Sequence, residues 1–426
     1  MSKTVRTSIG LLAVLFLTVA ADFPADAEGS AGEVEWKLSG EARFRPEWRD
    51  DRDLDSDLDD DTRQAFMRLR LGAEATYKDN YRVFVQAQDS RIAGQETSTI
   101  ANERNLDIHQ GYLEIRRLGT DRLSLTLGRQ EWAYGEERLV GSLGWDNVGR
   151  SFDGARLRYA TERSSLDGLM SRVSESAPAG PTRGSDLYGV QWLIKPGTET
   201  EYGAYWIGFS NSVLAAGETG VPGDTTIDTF GGRIRSVWGA VVFNAETAVQ
   251  RGEVNGDDLS AFAGAAMVAY RLGTETRVRP FAGYDFATGD EDPADGEREE
   301  FVNLFPTNHG HYGYADLEGW RNIRSPYVGA TIGRGRHTAT LKTHWFELDE
   351  AAGAWKDAAG SVLGQDPTGG SGRGVGTEHD FVYTLKVDEK VSLMAGVSRF
   401  DPGSFARSVR GEDPSTWAFV MLTAGI

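Results

Sequence analysis

Arginines recur two residues apart along the chain: Arg43 and Arg45, Arg68 and Arg70, Arg156 and Arg158, Arg233 and Arg235. A guanidinium presents its N–H donors in a planar fork and holds carboxylates through paired hydrogen bonds. Arginines lining a water-filled space therefore act as fixed counter-ions for acidic solutes. Lys37, Arg82, Arg116, Arg277, Arg279, Lys342 and Lys386 belong to the same series. Acids share it in smaller number, among them Glu41, Glu74, Glu114, Glu246 and Asp285. Two readings stand side by side: an anion-attracting wall, or arginines paired with neighbouring acids and merely solvating that wall.

Other chemistry finds little support. The chain has no Cys, which removes thiol nucleophiles, thiolate zinc sites and disulfides. Its six His, at positions 109, 309, 311, 337, 344 and 379, form no HExxH pair, and no GxSxG elbow is present. Asp53-Leu54-Asp55-Ser56-Asp57 invites a calcium-loop reading, but Leu58 stands where an EF-hand needs Gly and Gln64 where it needs Glu. A solvated acidic loop is the better account. No enzyme, resident metal or cofactor is expected.

The elements carrying the arginines read as strands. Trp36, Leu38, Gly40, Ala42 and Phe44 alternate with Lys37, Ser39, Glu41, Arg43 and Arg45. Ala65, Met67, Leu69, Leu71, Ala73 and Ala75 alternate with polar residues including Arg68, Arg70 and Glu74, and Tyr81, Val83, Val85 and Ala87 alternate with Arg82, Gln86 and Gln88. Period two puts one apolar and one charged face on each strand. A secreted sandwich would show the same alternation, so the connections must discriminate. Short links, such as 78–80, 118–121, 160–163 and 195–199, alternate with long polar stretches at 48–62, 92–105, 132–152, 175–185, 210–226, 252–258, 288–322, 350–376 and 401–414. This rhythm predicts an all-β transmembrane antiparallel barrel of about 18 strands, with short periplasmic turns and long extracellular loops. Trp36, Tyr77, Tyr81, Tyr159, Trp192, Trp206 and Trp238 fall near predicted strand ends, as an interfacial aromatic girdle requires.

Lys3 and Arg6 followed by an apolar stretch, Ile9 to Ala21, and by Ala25-Asp26-Ala27 read as a signal peptide over 1–27. Residues 28–426 then form a single barrel domain. The net charge of −19 opposes a role in coating nucleic acid. That charge is concentrated in loops: Asp50 to Asp61 contains eight Asp, and Asp290 to Glu300 contains seven acids.

Several blocks resemble the alginate-export family of outer-membrane proteins. They are Leu127-Gly128-Arg129-Gln130-Glu131, Tyr134-Gly135-Glu136-Glu137-Arg138-Leu139-Val140-Gly141 and Gly149-Arg150-Ser151-Phe152-Asp153-Gly154, then Leu304 through Leu317, and Gly376-Thr377-Glu378-His379-Asp380-Phe381. The resemblance implies an 18-stranded, passive barrel exporting an acidic polysaccharide through an Arg-rich constriction, with loops folded into or over the pore. Synthesis and periplasmic partner proteins would drive the polymer. On this basis Arg129 is expected in the lumen, re-aimed by a bulge at Gly128 because Leu125 and Leu127 share its parity. Arg138 and Arg150 are candidates for an inward-folded constriction, with loop anchoring by salt bridges as the alternative. The Pro306–Tyr314 block is expected to shape a loop. The acidic outer loops would repel a polyanion, so a porin for small anionic or sugar solutes stays open beside the export channel, as does a plugged barrel with an adhesive surface. The expected partners are membrane lipid, the transported solute and export proteins, and a closed barrel needs no second subunit.

Overall fold

The computed structural model describes residues 34–96, 106–175 and 184–425. The expected signal peptide lies outside them. Eighteen strands among the described residues form one antiparallel sheet in which each strand pairs with its neighbours in sequence. The first six are β1 (Val34–Asp50), β2 (Thr62–Tyr77), β3 (Tyr81–Ile92), β4 (Leu106–Ile115), β5 (Leu123–Gln130) and β6 (Phe152–Ala160). They are followed by β7 (Ser164–Glu175), β8 (Gly184–Ile194), β9 (Glu201–Ala216), β10 (Pro222–Trp238), β11 (Val241–Val254) and β12 (Asp257–Tyr270). The last are β13 (Thr276–Ala287), β14 (Ile323–Arg334), β15 (His337–Glu347), β16 (Gly374–Lys386), β17 (Val391–Pro402) and β18 (Ser415–Gly425). β1 closes the cylinder on β18, from Glu41 opposite Gly425 to Asp50 opposite Thr416. Closure leaves no open sheet edge, the condition for a β structure in lipid.

The wall is inverted relative to a water-soluble protein. Leu38, Phe44, Leu69, Leu71, Phe230 and Leu341 are exposed, while Arg43, Arg45, Arg68 and Arg70 between or opposite them are buried. The apolar faces therefore point to the hydrocarbon and the arginines point inward, as the alternation predicts. Tyr81, Tyr159, Trp192, Tyr202, Trp238 and Tyr270 stand outward beside the short turns and form an aromatic belt there.

The predicted connections map closely onto the observed ones, with two exceptions. Most of the long stretch expected over 210–226 is strand, β9 running to Ala216 and β10 starting at Pro222, so that only 217–221 connect them. The loop expected over 252–258 is a two-residue turn, Asn255-Gly256, with φ of 56° and 89°. Both values lie in the left-handed region that a tight hairpin turn of this kind needs, and Asn-Gly is its strongest sequence signal.

The long connections on the other end do not simply project outward. Residues 131–151 and 288–322 enter the barrel and pair: Gly141 N donates to Phe305 O at 2.8 Å, and Phe305 N to Leu139 O at 2.9 Å. Leu169, Leu187, Ile207, Ile227, Ala248 and Leu259, inward-facing on β7–β12, are buried with Trp132, Leu139, Val140, Phe301 and Trp320 of these loops. About a third of the wall, six of the eighteen strands, thus carries an apolar bed for the loops rather than the uniformly polar lining that alternation alone implies. A helix, α1 (Ser404–Val409), covers part of the loop end, with Phe405 and Ala406 buried.

Candidate functional site: an arginine-walled interior

Opposite the apolar bed, β1 and β2 carry four arginines in cross-strand proximity, Arg43 directly opposite Arg68. Arg43 donates to Gly144 O at 2.9 Å and Asp146 O at 2.7 Å. Arg68 donates to Asp146 O at 3.0 Å and is paired with Glu41 at 2.7 Å. Arg45 donates to Trp145 O, lies 4.2 Å from the centre of the Trp145 ring, and pairs with Glu47 at 2.6 Å. Arg70 donates to Val148 O at 3.1 Å and to Gln88 at 2.6 Å. Like charges this close are stabilised by acceptors, and here these are the carbonyls of the inward loop together with the carboxylates of Glu41, Glu47 and Glu131. The quartet clamps 144–148 against the wall.

Arg138 and Arg150 are inside the barrel, as expected from the resemblance, and both are engaged. Arg138 donates to Tyr312 Oη at 2.6 Å and lies 3.4 Å from Asp285, which is completely buried. Arg150 donates to Gly141 O at 3.1 Å, Pro306 O at 3.0 Å and Phe305 O, stapling the two inner loops together. Burial lowers its pKa to about 10, partly offset by Asp146 and Glu137. From the opposite wall Lys342 donates to Gly310 O and His311 O, and Glu378 accepts from Ala315 N at 2.9 Å. The Pro306–Tyr314 block therefore shapes a loop, and that loop is part of the filling of the barrel.

The remaining arginines line the half nearer the short turns. Arg82 bridges Glu74 at 2.7 Å and Glu114 at 3.3 Å, and Arg116 sits beside the same two acids. Arg158 lies 3.5 Å from Asp167, and Arg233 is paired with Glu201. Among the described residues, Arg156, Arg235, Arg277 and Arg279 have no carboxylate within ion-pair distance, although all four face inward by register.

Arg129 does not join them. No register shift occurs along β5, where Arg129 stays opposite Gly111 and Asp153, so the expected bulge is absent. Its side chain keeps the outward parity of Leu125 and Leu127 and pairs with Asp153 at 2.8 Å. Gly128 answers a different need. Its φ is +123°, and a Cβ there would stand 2.3 Å from Gly111 O and 2.9 Å from Tyr112 Cα. Gly128→Ala is expected to lose the heat-resistant, fast-migrating folded band on gels, since the backbone strain alone costs about 1–3 kcal/mol.

At the loop end an open cavity of about 720 Å³ leads inward. Arg45, Arg49, Arg52, Arg150 and Arg321 line it with an equal number of acids, including Asp60, Asp146 and Asp357. Trp145 and His309, stacked 4.1 Å apart, lie against Trp417 and Phe419 beside it. The sequence reading missed Arg49 and Arg321. Arg49 shares the inward parity of Arg43 and Arg45, so the alternation already pointed to it, whereas Arg321 sits in a loop without periodicity.

The acidic loops also tie the filling to the rim. Glu218, in the β9–β10 turn, and Asp290, in the inner loop, are interacting carboxyl groups, each with its side chain shielded from solvent. Burial first, then Asp290, push Glu218 up from 4.5 to about 7. The folded loop thus binds a proton more tightly than the released one. This contribution to attachment is complete below the ordinary carboxyl value and is lost as pH rises through about 7. Hydrogen-exchange protection of 288–300 is expected to fall between about pH 5 and pH 8, and Glu218→Gln to flatten that dependence. Equal pH dependence in the variant would assign the proton elsewhere.

A model of the alginate export family matches residues 34–419. The chain belongs to the alginate export family. No protein of curated function matches it in sequence. Its barrel is similar to solved porins of Pseudomonas aeruginosa. The outer membrane protein OprD is 12% identical with a TM-score of 0.61, over 93% of this chain and 95% of that one. OccK9 (OpdG) is 12% identical with a TM-score of 0.62, over 92% and 98%. OpdK, solved with vanillate, is 10% identical with a TM-score of 0.59, over the same shares. These likenesses establish the closed 18-stranded architecture, and with the family they place this alginate-export member in the outer membrane as a channel.

Proposed function

We propose that this alginate-export barrel is the passive route by which an anionic, alginate-like polysaccharide crosses the outer membrane. Its unpaired lumen arginines stand in for the polymer's counter-ions. The observation that carries this reading is the set Arg156, Arg235, Arg277 and Arg279, inward-facing cations without carboxylate partners. A polymer delivered from the periplasm meets these first, then passes the clamped loop, then reaches the cavity beneath the outer loops. The polymer's movement is driven by its synthesis and by periplasmic partners, and one barrel is sufficient.

A second reading, a porin for small organic acids on the same scaffold, is favoured by the likeness to OpdK, whose structure was solved with vanillate, a carboxylate. Reversal potentials in a KCl gradient across a planar bilayer, with oligouronate added to one side, separate the possibilities. Chloride selectivity with block by the oligouronate, both reduced when the four arginines are changed to Gln, supports the polymer route. Block by monomeric acids without chain-length preference supports the porin. Cation selectivity without block sinks the electropositive lumen altogether.

A further inference from the structure

The outward position of Arg129 belongs to a larger arrangement. Arg129 on β5 is directly opposite Asp153 on β6, Asp153 is opposite Arg172 on β7, and Arg172 is opposite Asp186 on β8. Four adjacent strands therefore present a row of alternating sign, at strand ends next to the long loops. The contacts are close: Arg129 to Asp153 at 2.8 Å, Arg172 to Asp186 at 2.6 Å, and Asp107 on β4 at 3.9 Å from the second guanidinium nitrogen of Arg129. All four side chains remain substantially open, from 36% for Arg129 to 60% for Asp153.

Immediately beneath, toward the short turns, the outward row is Leu127, Ala155, Met170 and Tyr188 in the same register. Leu127 and Met170 are exposed, and the next row adds Leu157 and Val190. The charged row thus sits at the upper edge of the apolar band, at the height of outer-leaflet headgroups. Exposed pairs contribute little to folding, so stability does not explain four strands devoted to them.

We propose that this row is a docking site for the phosphorylated sugar headgroup of an outer-leaflet glycolipid. The two arginines, each oriented by an aspartate, direct their remaining N–H groups outward to phosphates. The aspartates between them are acceptors for the hydroxyl groups of the sugar. A simple phospholipid headgroup offers the phosphate but not the set of donors, whereas a phosphorylated sugar satisfies both signs. The apolar rows below receive its acyl chains. Outward pairs at the same end of other strands, Arg91 with Asp89 and Arg399 with Asp401, continue the charged collar around the barrel, as expected for annular lipid rather than for one localised protein partner.

The test is native mass spectrometry of the full barrel in detergent, titrated with bis-phosphorylated lipid A, its dephosphorylated form and phosphatidylglycerol. Wild type is expected to retain the bis-phosphorylated lipid preferentially. R129Q and R172Q are each expected to weaken it about tenfold, and the double variant about a hundredfold, from loss of charge-assisted contacts. A heat-resistant folded gel band and unchanged conductance show that the double variant is a folded barrel. Undiminished lipid A retention by that variant overturns the proposal, as does equal retention of the other two lipids. A dimer mass that disappears in the variant, without any change in lipid retention, likewise overturns it and makes the row a contact between copies.

Discussion

Changing Arg43, Arg45, Arg68 and Arg70 together to Gln is expected to raise the single-channel conductance by roughly an order of magnitude, toward that of an unobstructed porin-sized barrel. The four guanidinium groups make six hydrogen bonds to the carbonyls of Gly144, Trp145, Asp146 and Val148. Each charge-assisted bond of this kind contributes about 1.5–3 kcal/mol net of the bonds to water that it replaces. A glutamine is shorter and uncharged, and four of them cannot span from the wall to the loop. The loop remains attached through the apolar bed, so the expected record is a noisy channel flickering to high conductance. The sign of the effect is diagnostic. If the quartet served only as a selectivity ring around an open pore, neutralising it would reduce anion preference and leave the conductance nearly unchanged. That result would remove the clamp from the account.

Arg138→Met is expected to destabilise the folded barrel by about 3–5 kcal/mol, the usual cost of leaving one member of a buried ion pair without the other. Asp285 has no exposed surface and neither carboxylate oxygen has a hydrogen-bond donor among the described residues, so the guanidinium of Arg138, 3.4 Å away, is what offsets its charge. Burial disfavours charge on Arg138, but Asp285 and then Tyr312 more than compensate and hold its pKa above the ordinary arginine value. The guanidinium also lies 5.4 Å from the Tyr312 ring centre and 5.7 Å from that of Trp320, so its loss loosens loop 288–322 as well. Urea unfolding in detergent, followed by tryptophan fluorescence, measures the change. Arg138→Met combined with Asp285→Asn is expected to recover a large part of the loss, because the uncompensated charge is gone. A double variant as unstable as the single one would show that Arg138 acts by packing and not by charge.

These two predictions rest on features of different legibility. Arg43, Arg45, Arg68 and Arg70 are legible as inward-facing from period two alone, because a strand offers only two sides and the apolar residues beside them take the lipid. The same logic gave Arg129 its outward place. The bulge invoked to turn it inward had no support in the periodicity, and Gly128 serves a close approach to the β4 backbone instead. Asn255-Gly256 is likewise legible as a tight turn, because Asn and Gly are the residues that tolerate the left-handed φ such a turn needs.

The sequence by itself determined the barrel, its closure into about 18 strands, its inside and outside, and its family, because alternation, turn chemistry and loop length are local properties repeated many times over. Only the tertiary structure decided what the inward arginines do. The partners of Arg43 and Arg68 lie 101 and 76 residues away, and those of Arg138 and Arg150 lie 174 and 155 residues away, on loops that carry no periodicity. Whether an inward guanidinium meets water, a carboxylate or a carbonyl depends on where those loops settle. That is set by the apolar bed on the far wall, whose small and aliphatic residues register as partners only when the barrel has closed around them.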